Sequence, residues 1–197
     1  GKALTNFHAL LPEQQGKLAM NVLKDPYNLD FLTLEKGYNE RDLESALAHD
    51  ITHFLLELGS GFSYIGRQRE LVVSCDGYFP DLLFYHIKLR CYVVIELKVV
   101  EFMPEFAGKL NFYVAACNRL LRGEGDNPTI GLLICKSKDQ TKVEWAFDSI
   151  LNPMGVATYE GINVADKLPS VEELQKRIEQ LEDIIEKEQN AEHCQKW

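Results

Sequence analysis

The stretch that decides the fold is residues 91–100, which read Cys91-Tyr92-Val93-Val94-Ile95-Glu96-Leu97-Lys98-Val99-Val100. Apart from Glu96 and Lys98, every residue in it is apolar, which is typical of a strand at the centre of a sheet. Side chains alternate between the two faces of a strand. Glu96 and Lys98 therefore share one face, and Val93, Ile95 and Leu97 share the other. A carboxylate and an ammonium on a buried strand need a chemical reason to be there, because burial of an unpaired charge is unfavourable.

The segment before this strand carries a second carboxylate, Asp81, directly after Pro80. Residues 78–86 are predicted to form a strand, and residues 87–90 connect it to the central strand. If the two strands pair as a hairpin, Asp81 lies across from the end of the central strand. This pairing would bring Asp81 close to Glu96.

A helix is predicted from Asn39 to Leu58. Asn39 is a good N-cap residue, and Gly59 supplies a stop signal. At about 100° per residue the apolar side chains form one core-facing stripe, which consists of Leu43, Leu47, Ile51, Phe54, Leu55 and Leu58. Glu44 projects into the same stripe. A carboxylate among buried leucines is unfavourable unless it is paired or lies near a cation.

The remaining elements complete a mixed α/β fold. They are strands at residues 62–71, 72–75 and 129–135, a turn at Asp76-Gly77, and helices at residues 105–121 and 142–149. The resulting order, αβββαβ, indicates a mixed sheet flanked by helices.

The carboxylates and the lysine suit the hydrolysis of a phosphodiester bond. Hard oxygen ligands hold Mg²⁺, which polarises the phosphoryl group and lowers the pKa of a bound water. Asp81, Glu96 and the backbone carbonyl of Leu97 are the expected metal ligands, and Glu44 would bind the ion through water. Lys98 would orient the attacking water and stabilise the developing negative charge. The expected cofactor is Mg²⁺, with Mn²⁺ as a substitute.

The same residues carry a resemblance to a known family. Pro80-Asp81, fourteen intervening residues and Glu96-Leu97-Lys98 match the motif of the PD-(D/E)XK nuclease superfamily. Over roughly residues 25–174 the chain resembles the nuclease domain of YhcG-type bacterial proteins, through residues 40–47, 81–86, 94–98 and 134–138. The resemblance implies a restriction-endonuclease-like core. It also implies a metal-dependent endonuclease that cleaves DNA in repair, recombination or defence.

At one position the chain departs from the family it resembles. Many relatives carry Gln in the helix after the motif, whereas this chain has Lys109. We expect Lys109 to contact the scissile phosphate or the catalytic water. The other expected DNA contacts are Arg67, Gln68, Lys136 and Lys138, which lie at strand ends near the proposed metal site. For these four residues, simple solvation of the polar or charged group is an equal alternative.

Three segments are expected along the chain. Residues 1–30 are interpreted as the tail of an upstream domain or a linker from it, residues 31–165 as the nuclease-like domain, and residues 166–197 as an amphipathic C-terminal helix. A capping box at Ser170 and apolar residues at 3,4 spacing predict that this helix packs on a neighbour or forms a homodimer. The chain begins with Gly1 rather than Met, so a further N-terminal domain is expected as a partner.

Composition narrows the class of protein. The net charge of −9 argues against tight nonspecific binding to DNA, although part of it lies in the acidic tail after residue 170. The five cysteines are odd in number and form no Cys-x-x-Cys pair, which indicates reduced thiols in the cytoplasm. There is no signal-peptide pattern and no apolar run near the ~18 residues of a membrane span, so no membrane partner is expected.

Two functions stay open at the level of sequence. One is an active Mg²⁺-dependent DNA endonuclease. The other is a non-catalytic module on the same fold, which binds nucleic acid or a protein partner. Taken singly, Asp81 could be a turn residue and Glu96 with Lys98 an exposed ion pair. Taken together with Glu44, they favour the enzyme.

Overall fold

The chain divides into two compact units, residues 1–164 and residues 165–197. The computed structural model describes residues 2–165 and, beyond them, residue 175. The C-terminal helix predicted at residues 166–197, and the homodimer that it would support, lie outside the described residues. Within the described part of the chain, no helix is long and apolar enough to cross a membrane.

Eleven strands and six helices make up the described part of the chain. In chain order they are β1 (Leu4–Thr5), α1 (Phe7–Leu10), α2 (Glu13–Val22), β2 (Tyr27–Asn28), β3 (Thr33–Glu35), α3 (Glu40–His49), α4 (Ile51–Leu58), β4 (Phe62–Arg67), β5 (Leu71–Val73), β6 (Asp76–Tyr78), β7 (Leu82–His86), β8 (Cys91–Glu101), α5 (Pro104–Leu120), β9 (Ile130–Ser137), α6 (Gln140–Phe147), β10 (Met154–Glu160) and β11 (Asn163–Ala165).

A seven-stranded sheet forms the centre of the fold, with strand order β1-β10-β9-β8-β7-β4 and β2 paired to β10. Strands β8, β9 and β10 run parallel, whereas β7 runs antiparallel to β8 and to β4. This arrangement confirms the mixed α/β class. The predicted αβββαβ core is the run α3–α4, β4, β7, β8, α5 and β9, with the β5–β6 hairpin inserted. The apolar stretch at residues 91–100 is β8, which lies between β7 and β9.

The two faces of β8 pack into two separate hydrophobic clusters. Ile95 and Leu97 belong to the cluster that contains Leu43 of α3. Val94 extends from the other face, into the cluster that contains Leu110 of α5. Helices therefore cover both faces, and by alternation Glu96 and Lys98 extend from the α5 face.

The prediction of one continuous helix from Asn39 to Leu58 was wrong, because α3 and α4 meet at Asp50, whose ψ of 46° is not helical. Short polar side chains compete with the helical backbone through local hydrogen bonds. The Asp50 carboxylate lies 2.7 Å from Nδ1 of His53. The predicted start was correct, since Asn39 forms a capping box with Asp42.

The turn predicted at Asp76-Gly77 was also wrong, since both residues lie in β6. The turn is at Ser74 and Cys75, between the paired residues Val73 and Asp76. Ser74 and Cys75 have φ values of 50° and 73°, and two left-handed residues are what a type I′ hairpin turn requires. The turn therefore lies two residues before the position predicted from Asp76-Gly77.

Residues 2–30 are built into the sheet and the core, and are not a tail separate from residues 31–165 as expected. β1 and β2 both pair with β10. Phe7 and Tyr27 are fully buried in the same cluster as β8. Sequence analysis left residues 154–160 unassigned, although β10 is the strand to which the N-terminal segment pairs. A further N-terminal domain stays a prediction.

Candidate active site

The register between β7 and β8 brings the first two carboxylates together. Leu82 pairs with Ile95, which places Asp81 beside Glu96. The backbone N–H of Asp81 donates to Oε1 of Glu96 at 3.2 Å. The N–H of Leu97 donates to Oδ2 of Asp81 at 2.8 Å. The predicted proximity of Asp81 and Glu96 is therefore confirmed.

Two lysines surround the Glu96 carboxylate, which is 1% exposed. Nζ of Lys109 donates to Glu96 Oε2 at 2.9 Å, and Nζ of Lys98 lies 3.9 Å from the same oxygen. Lys98 also donates to the carbonyl oxygen of Leu97 at 2.9 Å. A buried carboxylate requires a countercharge, and Lys109 supplies the direct contact.

The side-chain amide of Gln68 connects Glu44, on α3, to Asp81. Glu44 is buried, and Nε2 of Gln68 donates to it at 2.7 Å and to Asp81 at 3.3 Å. The backbone N–H of Gln68 also donates to the Asp81 carbonyl at 3.1 Å. Because Gln68 has a φ of 45°, β4 ends at Arg67, earlier than the predicted strand. Gln68, expected at the DNA, joins two carboxylates in this structure.

Burial and the crowding of like charges raise the pKa of two carboxyl groups. Burial raises the pKa of Glu96 and the Asp81 carboxylate raises it further, while Lys109 opposes both effects. Burial also raises the pKa of Glu44, and the hydrogen bond from Gln68 opposes it. A raised carboxyl pKa means that the ionised form is less favourable at the site than in water. A bound cation would stabilise these ionised carboxylates.

The oxygen atoms at the site fit a hard divalent cation. Asp81 and Glu96 offer carboxylate oxygens and Leu97 a backbone carbonyl, which are the ligand types that Mg²⁺ prefers. Among the described residues, no three His, Cys, Asp or Glu side chains form a group that could hold a metal ion. An ion here would therefore have two carboxylates, the carbonyl and waters as ligands. Mg²⁺ usually keeps several waters.

Lys109 was expected at the DNA, but its ammonium lies against Glu96 in this structure. Its side chain is 48% exposed, and Nζ lies 5.2 Å from the ring centroid of Tyr113. Burial lowers the pKa of Lys109, but Glu96 outweighs that effect and the net change is upward. Sequence analysis missed this ion pair. The available signal was the position of Lys109 in the helix that directly follows the strand of Glu96.

Two of the other predicted phosphate contacts lie on the surface. Arg67 lies near the site, with Nε 3.8 Å from Oε1 of Glu44. Lys136 is exposed and follows Cys135, which pairs with Lys98. Since successive side chains alternate, Lys136 extends from the opposite face of the sheet to Lys98.

Lys138, the last predicted phosphate contact, takes part in a largely buried ion pair. Its Nζ donates to the Asp25 carboxylate and to the Val156 carbonyl at 3.0 Å. The other Asp25 oxygen accepts from the N–H and the hydroxyl of Thr158 at 2.7 and 2.8 Å. Burial raises the pKa of Asp25, but the bonds from Lys138 and Thr158 outweigh it and lower the pKa overall. The Lys138 ammonium therefore joins the N-terminal segment to the sheet.

Comparison with known proteins places the chain among nuclease domains. Residues 20–179 match the family model of the YhcG PDDEXK nuclease domain. Over 158 residues the chain is 34% identical to the protein YhcG of Escherichia coli (strain K12), in an alignment that covers 80% of this chain and 42% of YhcG. The chain thus spans less than half of that relative's length.

Two solved structures are similar to part of this chain. A repair endonuclease from Pyrococcus abyssi has a TM-score of 0.41 at 14% identity, over 66% of this chain and 49% of its own. A complex of EndoMS with double-stranded DNA has a TM-score of 0.41 at 14% identity, over 62% of this chain and 46% of its own. The family assignment does not depend on these distant likenesses.

The family match and the geometry concern the same residues. The matched range contains both β7 and β8, and the motif residues Asp81, Glu96 and Lys98 lie together where these strands pair. The chain therefore belongs to the YhcG PDDEXK nuclease domain family.

Proposed function

We propose that this chain is a divalent-metal-dependent endonuclease that hydrolyses phosphodiester bonds in DNA. The observation that carries the proposal is the contact between Asp81, directly before β7, and Glu96 on β8, beside the ammonium of Lys98. PD-(D/E)XK nucleases generally use divalent metal ions. We assign Mg²⁺ as the ion here, with Mn²⁺ as a substitute, because every donor is a hard oxygen.

Each residue of the site has a distinct proposed role. Asp81, Glu96 and the Leu97 carbonyl would hold the metal, which when bound would polarise the phosphoryl group and lower the pKa of a bound water. Lys98 donates to the attacking water and stabilises the negative charge that develops on the phosphate. Glu44 supports Asp81 through Gln68 and would contact the ion through water.

DNA would meet the site along its phosphate backbone. Arg67 and Lys109 are the proposed contacts nearest the carboxylates, and Lys136 is a more distant one. Lys138 is not one of the proposed contacts, because its ammonium pairs with Asp25. The net charge of −9 limits nonspecific attraction. Because the proposed contacts join cationic side chains to phosphates, we expect binding and cleavage to weaken as salt is raised.

Cleavage assays with matched variants test the proposal. Supercoiled, linear and branched DNA are incubated with Mg²⁺, Mn²⁺ or EDTA. Asp81→Asn, Glu96→Gln and Lys98→Ala should each lower cleavage at least a hundredfold, an order of magnitude typical for loss of one electrostatic group. Glu101→Gln is the control, since Glu101 lies on the same strand and its side chain is 52% exposed. Cleavage that persists unchanged in Glu96→Gln would reject the assignment.

The alternative function is a non-catalytic module that binds nucleic acid or protein. The observation that favours it is the ammonium of Lys109 on Glu96, which neutralises the site without a metal. This alternative predicts DNA binding by gel shift that is equal with Mg²⁺ and with EDTA, and no cleavage under any condition. Metal-dependent cleavage would exclude it.

The wider setting is also a proposal, since the chain covers 42% of its curated relative. We propose that the chain acts in the cytoplasm in DNA repair, recombination or defence, and that residues 166–197 support a homodimer. Light scattering of the full chain and of a variant that ends at residue 165 tests the dimer. Equal monomer masses for both would reject it.

A further inference from the structure

The Lys109 ammonium donates to Oε2 of Glu96 at 2.9 Å, an oxygen that a bound cation would use, and the proposed chemistry does not require the ammonium there. We propose that Lys109 is a resident counter-cation of the metal site. Its ammonium must leave Glu96 before a divalent cation binds, and this requirement sets the metal affinity. This inference rests on the proposed metal site and goes beyond it, because it names the group that regulates occupancy.

Charge balance explains why Lys109 rests on Glu96. The Glu96 carboxylate is 1% exposed and lies beside a second carboxylate, that of Asp81. Lys98 is 3.9 Å from Glu96 Oε2 and donates instead to the Leu97 carbonyl. Lys109, at 2.9 Å from the same oxygen, is therefore the direct countercharge. A neutral glutamine at this position would donate a hydrogen bond but add no charge.

Release of Lys109 requires no rearrangement of the fold. Its side chain is 48% exposed, so the ammonium can return to water by rotation about its own torsions. The ring of Tyr113, one turn further along α5, lies 5.2 Å from Nζ and offers a second resting place through a cation–π contact. Once released, the ammonium would be available to a DNA phosphate at the same edge of the sheet.

The size of the effect follows from Coulomb's law. A lysine ammonium that stays about 6 Å from a divalent cation in a water-like dielectric weakens its binding by about tenfold. A variant with a neutral side chain at position 109 should therefore bind Mn²⁺ about tenfold more tightly than the native chain. A variant that keeps the charge should bind Mn²⁺ as the native chain does.

The test is calorimetric titration of the full chain with Mn²⁺ alone, in the absence of DNA. Lys109→Gln should lower Kd about tenfold, while Lys109→Arg and the distant control Lys17→Gln should leave it within about twofold. Equal Kd values for the native chain and Lys109→Gln would overturn the role of Lys109. If the native chain and Lys109→Gln both bind no Mn²⁺ at Asp81 and Glu96, the proposed metal site itself is rejected.

Thermal melting provides a second readout that does not depend on activity. Without metal, Lys109→Gln should melt below the native chain, because Glu96 loses its countercharge. Saturating Mn²⁺ should raise its melting temperature by more than it raises that of the native chain. If Lys109→Gln melts too early to titrate, Lys109→Met serves as the neutral variant. The inference is rejected if the metal-induced shifts of the neutral variant and the native chain are the same.

Discussion

Replacement of Glu96 by Gln should abolish metal binding and yet stabilise the metal-free fold. The amide keeps an oxygen for the N–H of Asp81, which now donates to Oε1 at 3.2 Å. Loss of the contact with Lys109 costs about 1 kcal/mol at most, because that side chain is 48% exposed and its charge can return to water. Removal of the buried Glu96 charge beside Asp81 raises the free energy of unfolding by about 2 kcal/mol.

The net result is a gain of about 1 kcal/mol in the free energy of unfolding, which corresponds to a rise of about 2–4 °C in Tm for a chain of this size. Scanning calorimetry in EDTA measures it, and Glu101→Gln, an exposed change on the same strand, should shift Tm by less than a degree or two. The reasoning fails if Glu96→Gln lowers the metal-free Tm by several degrees. Such a result would make Glu96 a structural residue and not a group retained for function.

Two further predictions concern groups away from the site. Asp25→Ala should lower the free energy of unfolding, measured in guanidinium, by about 3–5 kcal/mol, because it leaves the largely buried Lys138 ammonium without its partner. The control Lys17→Ala, at an exposed position, should change it by less than about 0.5 kcal/mol. An equally small change for both variants would contradict a stabilising role of the Asp25–Lys138 pair. Burial lowers the pKa of His86, so stability should be fully present above about pH 6.5 and fall as pH decreases towards the folded-state pKa. Denaturant titrations between pH 7 and pH 5 measure how the free energy of unfolding changes with pH. His86→Asn, which keeps an acceptor for the N–H of Leu89, should make this change smaller. An unchanged pH dependence in that variant would show that His86 is not its source.

The part of the fold that could be predicted was the part encoded by local pattern. The apolar run around Glu96 indicated an interior strand, and strand alternation placed Lys98 on the same face. The spacing from Asp81 to Glu96 fitted a simple hairpin, which is why their proximity was predictable. The alternation of side chains along a strand and the number of residues between two strands can be read from the sequence, because both depend only on residues close together in the chain.

The parts that could not be predicted depend on contacts between distant segments. Residues 2–30 are polar enough to resemble a linker, and only their pairing with β10 reveals them as part of the sheet. Gln68 and Lys109 are ordinary polar residues in the sequence. Their contacts with Asp81 and Glu96 depend on how β4 pairs with β7 and how α5 packs on β8. Only the position of α5 directly after β8 pointed to the second contact. The break at Asp50 shows in turn that a regular apolar stripe can continue across two helices.

The most direct test of the account is to locate a bound cation. Crystals soaked with Mn²⁺ should show an anomalous peak within about 2.0–2.4 Å of oxygen atoms from Asp81, Glu96 and the Leu97 carbonyl, with Nζ of Lys109 moved away from Glu96. Absence of a peak between Asp81 and Glu96 at saturating Mn²⁺, with Lys109 still bound to Glu96, would contradict the claim that these carboxylates form a metal site.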